Sequence, residues 1–384
     1  MLIGEAHPSQ PELQDLVLTL VDLSARFQSS LPSGMRAPLV ALVRSMNCYY
    51  SNLIEGHDTH PIDIDRALKN EYSNDPRKRD LQREARAHIE VQAWIDRGGL
   101  TEHPLSAAAL QAVHRRFYKH LPPELRVIRD PDTDEVLPVI PGELRTRHVR
   151  VGRHIPVSPG AVPRFLERYE AVYVPLRTSQ AVKALAAAHH RLVWIHPFLD
   201  GNGRVARLIS HASLLHYLNT GALWSPARGL ARRIADYKAH LANCDQPRRN
   251  DLDGRGNLSQ EALIAFTRFM LEVCVDQVRF MERLMQPGRL HHRVMTWAAE
   301  DAAVGALSTR VLPLLSAVLH RGEISRAEVG PLLGVSERQA RRFVAPLLTR
   351  GVLTAEHARA PFALGFPIEL ADRWMPGLFP ERDA

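Results

Sequence analysis

His196-Pro-Phe-Leu-Asp-Gly-Asn-Gly-Arg-Val-Ala-Arg207 stands between two apolar segments and decides the fold. Upstream of it, apolar residues recur at helical spacing over residues 182–193, and Pro197 cannot extend a helix. Downstream, the same period restarts and continues over residues 205–218. The sequence therefore predicts a helix, a short glycine-rich loop and a second helix.

The loop has the parts of a phosphate-binding site. Gly201 and Gly203 allow the backbone to approach a ligand closely. The N–H groups of Asn202 to Arg204 open the second helix, whose positive dipole end favours anions. A G-x-G before a helix is, taken alone, more often only a tight turn. The charged residues around it carry the functional interpretation.

Four side chains of the loop add chemistry to this cradle. Arg204 and Arg207 lie three residues apart, so both guanidinium groups project from one face of the helix toward a phosphate. Asp200 offers a hard oxygen ligand for a Mg²⁺ that bridges phosphates. His196 is the only group of the loop that exchanges a proton near neutral pH, which makes it the candidate general base. The pattern indicates phosphoryl or nucleotidyl transfer.

The same stretch resembles the signature H-x-F-x-[DE]-G-N-G-R-x-x-R of the Fic/Doc family at every defining position. The resemblance implies a mainly α fold, a Fic-type helical bundle with a small β-hairpin flap. It also implies that His196 deprotonates a hydroxyl of a target protein, which attacks the α-phosphate of ATP and displaces pyrophosphate. AMP is then left on a serine, threonine or tyrosine.

The resemblance assigns further roles at the start of the second helix. Asp200 would hold Mg²⁺, and because Doc-like kinases carry a different residue at this position, it favours an AMP transferase. Asn202 would contact the α-phosphate. Gly201 and Gly203 would shape the anion hole.

Four more positions receive roles from the resemblance. Arg204 would bind on the β-phosphate side and Arg207 would bind the γ-phosphate. Phe198 would anchor the loop in the core. Tyr237, on a later predicted helix, would help to enclose the adenine; a packed core tyrosine is the alternative.

A second motif, Ser51-Asn-Leu-Ile-Glu-Gly56, ends an apolar helical pattern near the N-terminus. It is similar to the inhibitory motif [ST]-x-x-x-E-[GN] of one class of Fic proteins. The resemblance implies that Glu55, with Ser51 one turn before it, pairs with Arg207 and blocks the γ-phosphate. A carboxylate beside Arg207 would compete with a phosphate oxygen for the same guanidinium group. An exposed glutamate near a helix end is the alternative.

Residues 142–156 change to an alternating pattern that predicts two short strands around Gly152. In Fic enzymes the matching hairpin, called the flap, lines the active-site groove and pairs its main chain with the target loop. The resemblance therefore implies a target protein docking at residues 142–156. A merely structural hairpin is the alternative.

Composition limits the class of protein. The chain has 384 residues and 45% hydrophobic content, enough for a sizeable core and two or three domains. The start has no secretory leader pattern and no run is long enough to span a membrane. Three separated cysteines fit reduced thiols and predict a cytoplasmic protein without structural zinc. The net charge of +7 permits an acidic partner without naming one.

The pattern divides the chain into three predicted domains: an N-terminal helical region (1–100), a catalytic core (101–286) and a C-terminal domain (287–384). The charges of residues 76–97 predict a surface helix with a solvated face. Ser106 is a candidate N-cap of the first core helix, and residues 258–284 predict a long helix. The turn-rich loop at 246–257 lacks the spacing of an EF-hand, which favours turn chemistry over Ca²⁺.

The pattern of the C-terminal domain predicts helix, helix, turn and helix, followed by a wing. This order resembles a winged helix-turn-helix. Ser336 would cap the third helix, which carries three arginines, Arg338, Arg341 and Arg342. From residue 304 onward ten Arg oppose eight acidic residues, a net charge of +2, weak for an autonomous DNA binder. Structural, dimerising or target-recruiting use is the alternative to DNA binding.

Together these features predict an ATP- and Mg²⁺-dependent protein adenylyltransferase held at low activity by Glu55. Three alternatives stay open: a hydrolase that removes AMP through the same loop, transfer of another phosphate-containing group, and a DNA-binding regulator with an inactive nucleotide-binding core. The presence of His196 argues against the last. The resemblance also implies a homodimer.

Overall fold

The computed structural model, which describes residues 2–4, 7–130 and 133–380, is predominantly helical. Its helices are α1 (Gln10–Ser30), α2 (Ser33–Ile54), α3 (Pro61–Leu68), α4 (Pro76–Asp96), α5 (Ala107–Lys119), α6 (Val162–Tyr173), α7 (Thr178–Ile195), α8 (Asn202–Leu218), α9 (Ala227–Arg232), α10 (Ile234–Cys244), α11 (Gln260–Leu284), α12 (Pro287–Ala303), α13 (Leu312–Arg321), α14 (Arg326–Leu333), α15 (Glu337–Thr349) and α16 (Ala371–Trp374). Its strands are β1 (Val127–Arg129), β2 (Val136–Pro138), β3 (Glu323–Ile324), β4 (Leu353–Thr354) and β5 (Phe362–Leu364). The mainly α fold predicted from the sequence is confirmed.

The chain divides into two compact units. The first consists of the described parts of residues 1–25 and 47–278. The second consists of residues 26–46 and the described part of residues 279–384. The first unit thus joins most of the predicted N-terminal region to most of the predicted catalytic core.

Helices α7 and α8 lie at the centre of the first unit and pack along each other, with α6 against α7 and both α4 and α5 against α8. Both central helices are largely buried. Alanines on α7 allow this close packing because their small side chains bring the helix axes together; those buried are Ala181, Ala184, Ala186, Ala187 and Ala188. The predicted helix–loop–helix is confirmed, with the loop between Ile195 and Asn202.

Helix α4 corrects the prediction of a charged surface helix at 76–97. One of its faces is buried in the first unit, although the helix is rich in charged side chains. The buried positions recur every three or four residues, which is helical spacing: Ala85, His88, Gln92 and Ile95. The charges on the remaining positions conceal this inward face in the sequence. Glu84 of α4 reaches Arg204 in the first turn of α8.

Residues 142–156 do not form the predicted pair of strands. Their backbone makes a single antiparallel bridge, between Val151 and His154, around a tight turn. The side chain of Arg145 binds the carbonyl of Arg147 in this segment and that of Val157 just after it, which removes both from strand pairing. The first unit does contain a hairpin earlier in the chain, where β1 and β2 pair antiparallel. No sequence signal was assigned to that hairpin.

The turn-rich loop at 246–257 is held by the carboxylate of Asp253. One of its oxygens accepts hydrogen bonds from the Ser259 hydroxyl at 3.1 Å and the Glu261 N–H at 2.8 Å. The other accepts the Arg249 N–H at 3.1 Å. These bonds confirm turn chemistry as the use of this aspartate.

The second unit contains the predicted C-terminal helices and a small sheet. Helix α13, strand β3, helices α14 and α15, and strands β4 and β5 follow each other, with strand order β3-β5-β4 and antiparallel pairing. Ser336 caps α15 by accepting the N–H of Gln339, as predicted. Gly334 turns the chain between α14 and α15 with φ 64°, a conformation that favours glycine.

Two further expectations from the sequence concern membrane-spanning helices and the state of the cysteines among the described residues. None of their helices combines the length and apolar character needed to cross a membrane. Cys48, Cys244 and Cys274 are buried and free. Burial raises the pKa of the Cys244 thiol to about 12, so it stays protonated at neutral pH.

Candidate active site

The loop between α7 and α8 is set by two left-handed residues. His196 follows the last turn of α7 with φ 52° and ψ 63°, and its N–H still bonds the carbonyl of Leu192 at 3.0 Å. Gly201 precedes α8 with φ 77°. A Cβ at position 201 would lie 2.9 Å from the ring of Tyr118, so only glycine fits there.

Phe198 anchors the loop in the core of the first unit. Its side chain is fully buried and stacks on the ring of His114, with centroids 4.0 Å apart and an interplanar angle of 8°. The Asn202 side chain closes the loop: its Oδ1 accepts the Phe198 N–H at 3.0 Å and its Nδ2 donates to the Phe198 carbonyl at 2.9 Å. Asn202 therefore shapes the cradle here, and its contact with an α-phosphate stays a prediction.

His196 has the features of a general base. Its Nδ1 lies 3.3 Å from the Val193 carbonyl, an arrangement that places the proton on Nδ1 and leaves Nε2 as the acceptor. Burial lowers the pKa of His196 to about 4, against the opposing effect of the hydrogen bond to Val193. The ring is therefore neutral at pH 7 and able to take a proton.

Arg145, which sequence reasoning missed, holds the segment around His196. Its Nε donates to the His196 carbonyl at 2.7 Å and its own N–H donates to the Pro197 carbonyl at 2.9 Å. Its guanidinium also bonds the carbonyls of Ile195, Arg147 and Val157. A cation at the end of α7 satisfies carbonyls that the helix leaves without partners. The side chain thereby joins the predicted docking segment to the candidate base.

Asp200 has the environment expected of a metal-binding carboxylate. Its Oδ2 accepts hydrogen bonds from the Tyr118 hydroxyl at 2.5 Å and from Arg204 at 2.9 Å. Burial raises the pKa of Asp200, but the charge of Arg204 and the bond from Tyr118 outweigh this, so the net shift is downward. The carboxylate is ionised, and its side chain is 43% exposed.

The residues around Asp200 fit a Mg²⁺ that arrives with a nucleotide. Among the residues that the structure describes, no group of three or more His, Cys, Asp or Glu could hold a metal ion by itself. Mg²⁺ on nucleotide phosphates needs only one or two protein carboxylates, since phosphates and water supply the other ligands. An ionised and partly exposed Asp200 beside a helix N-terminus meets that requirement.

Arg204 is held from three sides. Its Nη2 bonds Asp200, its Nη1 lies 3.3 Å from Oε2 of Glu84, and its guanidinium lies 5.0 Å from the centre of the Phe117 ring. The side chain is 9% exposed. Neither Glu84 nor Tyr118 carries a sequence signal for this site, because both come from helices far earlier in the chain.

Arg207 is bound by Ser51 and Glu55 of the motif at residues 51–56. Its Nη2 pairs with Oε1 of Glu55 at 2.5 Å, and its Nε donates to the Ser51 hydroxyl at 2.8 Å. Nη2 also donates to the Ser51 carbonyl at 3.2 Å. Burial raises the pKa of Glu55, but the charge and hydrogen bond of Arg207 outweigh this and lower it, so the carboxylate is ionised.

The Glu55 carboxylate lies directly over the first turn of α8. A Cβ built at Gly203 would collide with Oε1 of Glu55 and would lie 3.2 Å from Nη1 of Arg207. The carboxylate therefore occupies the positive end of the helix, where an anion is stabilised. Glycine at 203 leaves the space that this carboxylate fills.

Tyr237 lies in the core of the first unit. It is 3% exposed, and its hydroxyl makes a 2.7 Å hydrogen bond with Nε2 of His189. Its ring also faces Phe266. The geometry favours the core tyrosine over an adenine contact, which stays a prediction.

Comparisons with known proteins agree with this geometry. The profile of the Fic/DOC family matches residues 104–214. Over 80 residues the chain is 41% identical to proteins named protein adenylyltransferase Fic from Drosophila erecta and Drosophila melanogaster. These matches cover 20% of this chain and 16% of each relative, so the chain spans about a sixth of the length of the curated relatives that it matches.

Two solved structures share the fold. A Fic family protein from Desulfovibrio desulfuricans G20 aligns with a TM-score of 0.54 and 17% identity, over 95% of this chain and 98% of that one. A Fic domain containing signaling protein from Bacteroides thetaiotaomicron aligns with a TM-score of 0.50 and 19% identity, over 69% of this chain and 96% of that one. Residues 104–214 of this chain therefore form a domain of the Fic/DOC family.

Proposed function

We propose that the chain is a protein adenylyltransferase that transfers AMP from ATP to a hydroxyl of a target protein. The observation that carries this proposal is the position of a neutral His196 beside a helix N-terminus that presents Arg204 and Arg207. A base, an anion cradle and two guanidinium groups are what nucleotidyl transfer needs. The names of the curated relatives support the same activity.

In the proposed reaction, Nε2 of His196 takes the proton of the target hydroxyl. The hydroxyl oxygen forms a bond to the α-phosphorus of ATP while the bond to the pyrophosphate oxygen breaks, so the products are the AMP ester and pyrophosphate. Arg204 and Arg207 bind the departing phosphates and stabilise their charge. Asp200 would hold Mg²⁺, which supplies neutralisation of phosphate charge when bound. The target docks along residues 142–156.

We further propose that Glu55 keeps this activity low. Its carboxylate holds Arg207 at 2.5 Å and covers Gly203, so a γ-phosphate must displace it to reach the same guanidinium group. The pair is charge-assisted and supported by Ser51. If Glu55 is not displaced, bound ATP makes only one of its two arginine contacts, because Arg207 is occupied.

The test is transfer of label from α-labelled ATP with Mg²⁺ to proteins of a cell lysate. We expect little labelling with the wild type, strong labelling with Glu55→Gly, and none with Glu55→Gly combined with His196→Ala. His216, exposed on the last turn of α8, gives the matched control, and Glu55→Gly with His216→Ala should keep the label.

Other outcomes would favour the alternatives. Absence of label in every variant, with folding and ATP binding intact, would contradict the transferase. Release of AMP from an AMP-modified protein by the wild type would instead support the hydrolase. Competition by a different nucleotide or phosphate donor would support transfer of another group.

For the C-terminal region, we infer that residues 312–364 form a winged helix that recruits a partner of the enzyme or supports a homodimer. The order of helices and strands and the cap at Ser336 support the fold. The net charge of +2 from residue 304 onward disfavours DNA as the partner. A salt-dependent mobility shift of the chain with its own upstream DNA would contradict this preference.

A further inference from the structure

Both arginines of the site are bound by carboxylates in this structure, and the proposed function accounts for only one of them. Arg207 is bound by Glu55. Arg204 is bound by Asp200, which belongs to the same loop, and also by Glu84 of α4. Glu84 belongs neither to the signature loop nor to the inhibitory motif.

Glu84 is placed between Arg204 and the end of the inhibitory segment. Its Oε2 lies 3.3 Å from Nη1 of Arg204 and 3.0 Å from Nδ1 of His57, so two groups share one oxygen. His57 stands two residues after Glu55 in the chain. The side chain of Glu84 is 16% exposed, so the interaction is weakly screened by solvent.

The carboxylates of this arrangement compete with the phosphates of a nucleotide for the two arginines. Three carboxylates, those of Glu55, Glu84 and Asp200, face two guanidinium groups, those of Arg204 and Arg207. Asp200 has a role as a cation ligand, and Glu55 covers the γ-phosphate position. Glu84 is the third carboxylate, and it pairs with Arg204, the residue proposed to bind ATP on the β-phosphate side.

We propose that Glu84 is a second inhibitory carboxylate, which competes with nucleotide phosphate for Arg204 as Glu55 does for Arg207, and that His57 draws it away from Arg204. This inference rests on the proposed function, because it concerns nucleotide binding at the same site. Removing the charge of Glu84 strengthens ATP binding. Removing His57 leaves Oε2 of Glu84 to Arg204 alone and weakens ATP binding.

The test is calorimetric titration with ATP and Mg²⁺ of full-length chains that all carry His196→Ala, so that bound ATP is not consumed. Compared with the chain that carries only Glu55→Gly and His196→Ala, we expect the addition of Glu84→Gln to tighten ATP binding about three- to tenfold, the net effect of one typical hydrogen bond. His57→Ala should weaken ATP binding in the Glu55→Gly chain and have no effect once Glu84→Gln is present.

Glu90 supplies the matched control. It lies on the same helix and also bonds an arginine and a histidine, Arg86 at 2.7 Å and His120 at 2.7 Å, outside the signature loop. Glu90→Gln should leave ATP affinity unchanged. Thermal melting of each variant shows that an altered affinity comes from the site and not from loss of folding.

The outcomes separate this inference from the proposed function. Weaker or unchanged ATP binding in Glu84→Gln, with the Glu55→Gly chain still binding ATP, would overturn the inference alone and show that Glu84 merely positions Arg204. A His57→Ala effect that persists with Glu84→Gln would also overturn it. No ATP binding in any variant, including Glu55→Gly, would overturn the proposed function and this inference with it.

Discussion

At the scale of single residues, the proposed chemistry depends on how α7 ends. His196 is strained into a left-handed conformation, and its ring is buried deeply enough to stay neutral. Arg145 holds the carbonyls on either side of it. A buried base is useful only when its backbone cannot drift, because small misplacements of a catalytic group reduce the rate strongly.

The protonation of His196 gives a prediction for the pH dependence. Burial lowers its pKa to about 4, so the base form persists as the pH falls from 8 to 5 and is lost only as the pH approaches 4. The kcat/KM of the Glu55→Gly chain should therefore show no inflection near 6.5, the ordinary pKa of histidine. An acid limb centred near 6.5, in a chain whose circular dichroism is unchanged at that pH, would contradict this assignment.

Arg145 gives a second prediction at this scale. Arg145→Met removes the guanidinium that bonds four backbone carbonyls, those of Ile195 and His196 among them, whereas Arg145→Lys keeps the positive charge but loses the planar, multiply donating group. In the Glu55→Gly chain, kcat should fall by about 10² with methionine and less with lysine, while the KM for ATP changes little. The exposed Arg249, whose side chain pairs with Glu261 outside the docking segment, is the control, and Arg249→Met should leave kcat unchanged. A change in KM alone would contradict a positioning role.

At the scale of elements, the proposed inhibition depends on the contact between the end of α2 and the start of α8. The last turn of α2 supplies Ser51, and Glu55 follows the helix directly. Helix α8 supplies Arg207 and the positive helix end over which Glu55 lies. Arg207 joins the two elements because it donates hydrogen bonds to both the hydroxyl and the backbone carbonyl of Ser51.

Ser51→Ala should loosen this contact without removing the carboxylate. The substitution deletes the 2.8 Å bond to Nε of Arg207, and a hydrogen bond to a charged group contributes about 1.5–3 kcal/mol. Labelling by Ser51→Ala should therefore fall between that of the wild type and that of Glu55→Gly. Ser213→Ala, which removes a hydroxyl on α8 that bonds only the carbonyl of Ile209 among the bonds described, should remain as inactive as the wild type. Equal labelling by both serine variants would contradict the prediction.

At the scale of the whole molecule, the two units do not follow the order of the chain. Residues 26–46 belong to the same unit as residues 279–384, although they lie between segments of the other unit. Several large apolar residues of this stretch are buried: Phe27, Leu31, Met35, Leu39 and Leu42. The predicted boundary at 286/287 therefore separates parts of one packed unit.

A truncated chain of residues 1–286 should fold poorly. Without residues 287–384, the apolar side chains of residues 26–46 lose most of the segments of their unit. We expect the truncated chain to bind a hydrophobic dye and to elute as aggregates in size exclusion, unlike the full chain. A monodisperse truncated chain with the melting behaviour and ATP affinity of the full chain would contradict this view of the units.

The sequence by itself determined the features that depend on neighbouring residues. Periodicity, glycine and proline positions, and spacing along one helix predict the helix–loop–helix around residues 196–207, the cap at Ser336 and the motif at residues 51–56. The matched signature also identified the domain family before any contact was known. Local rules are sufficient there because the interacting groups lie within a few turns of each other.

Only the tertiary structure decided which distant groups complete the site. Glu84 and Tyr118 reach Arg204 and Asp200 from 120 and 82 residues away, and Arg145 reaches His196 from 51 residues away. The inward face of α4 and the irregular backbone of residues 142–156 follow from the same long-range contacts. A periodic pattern records which face of a helix is apolar, but the partner of a charged side chain depends on how helices pack, and sequence spacing does not specify that.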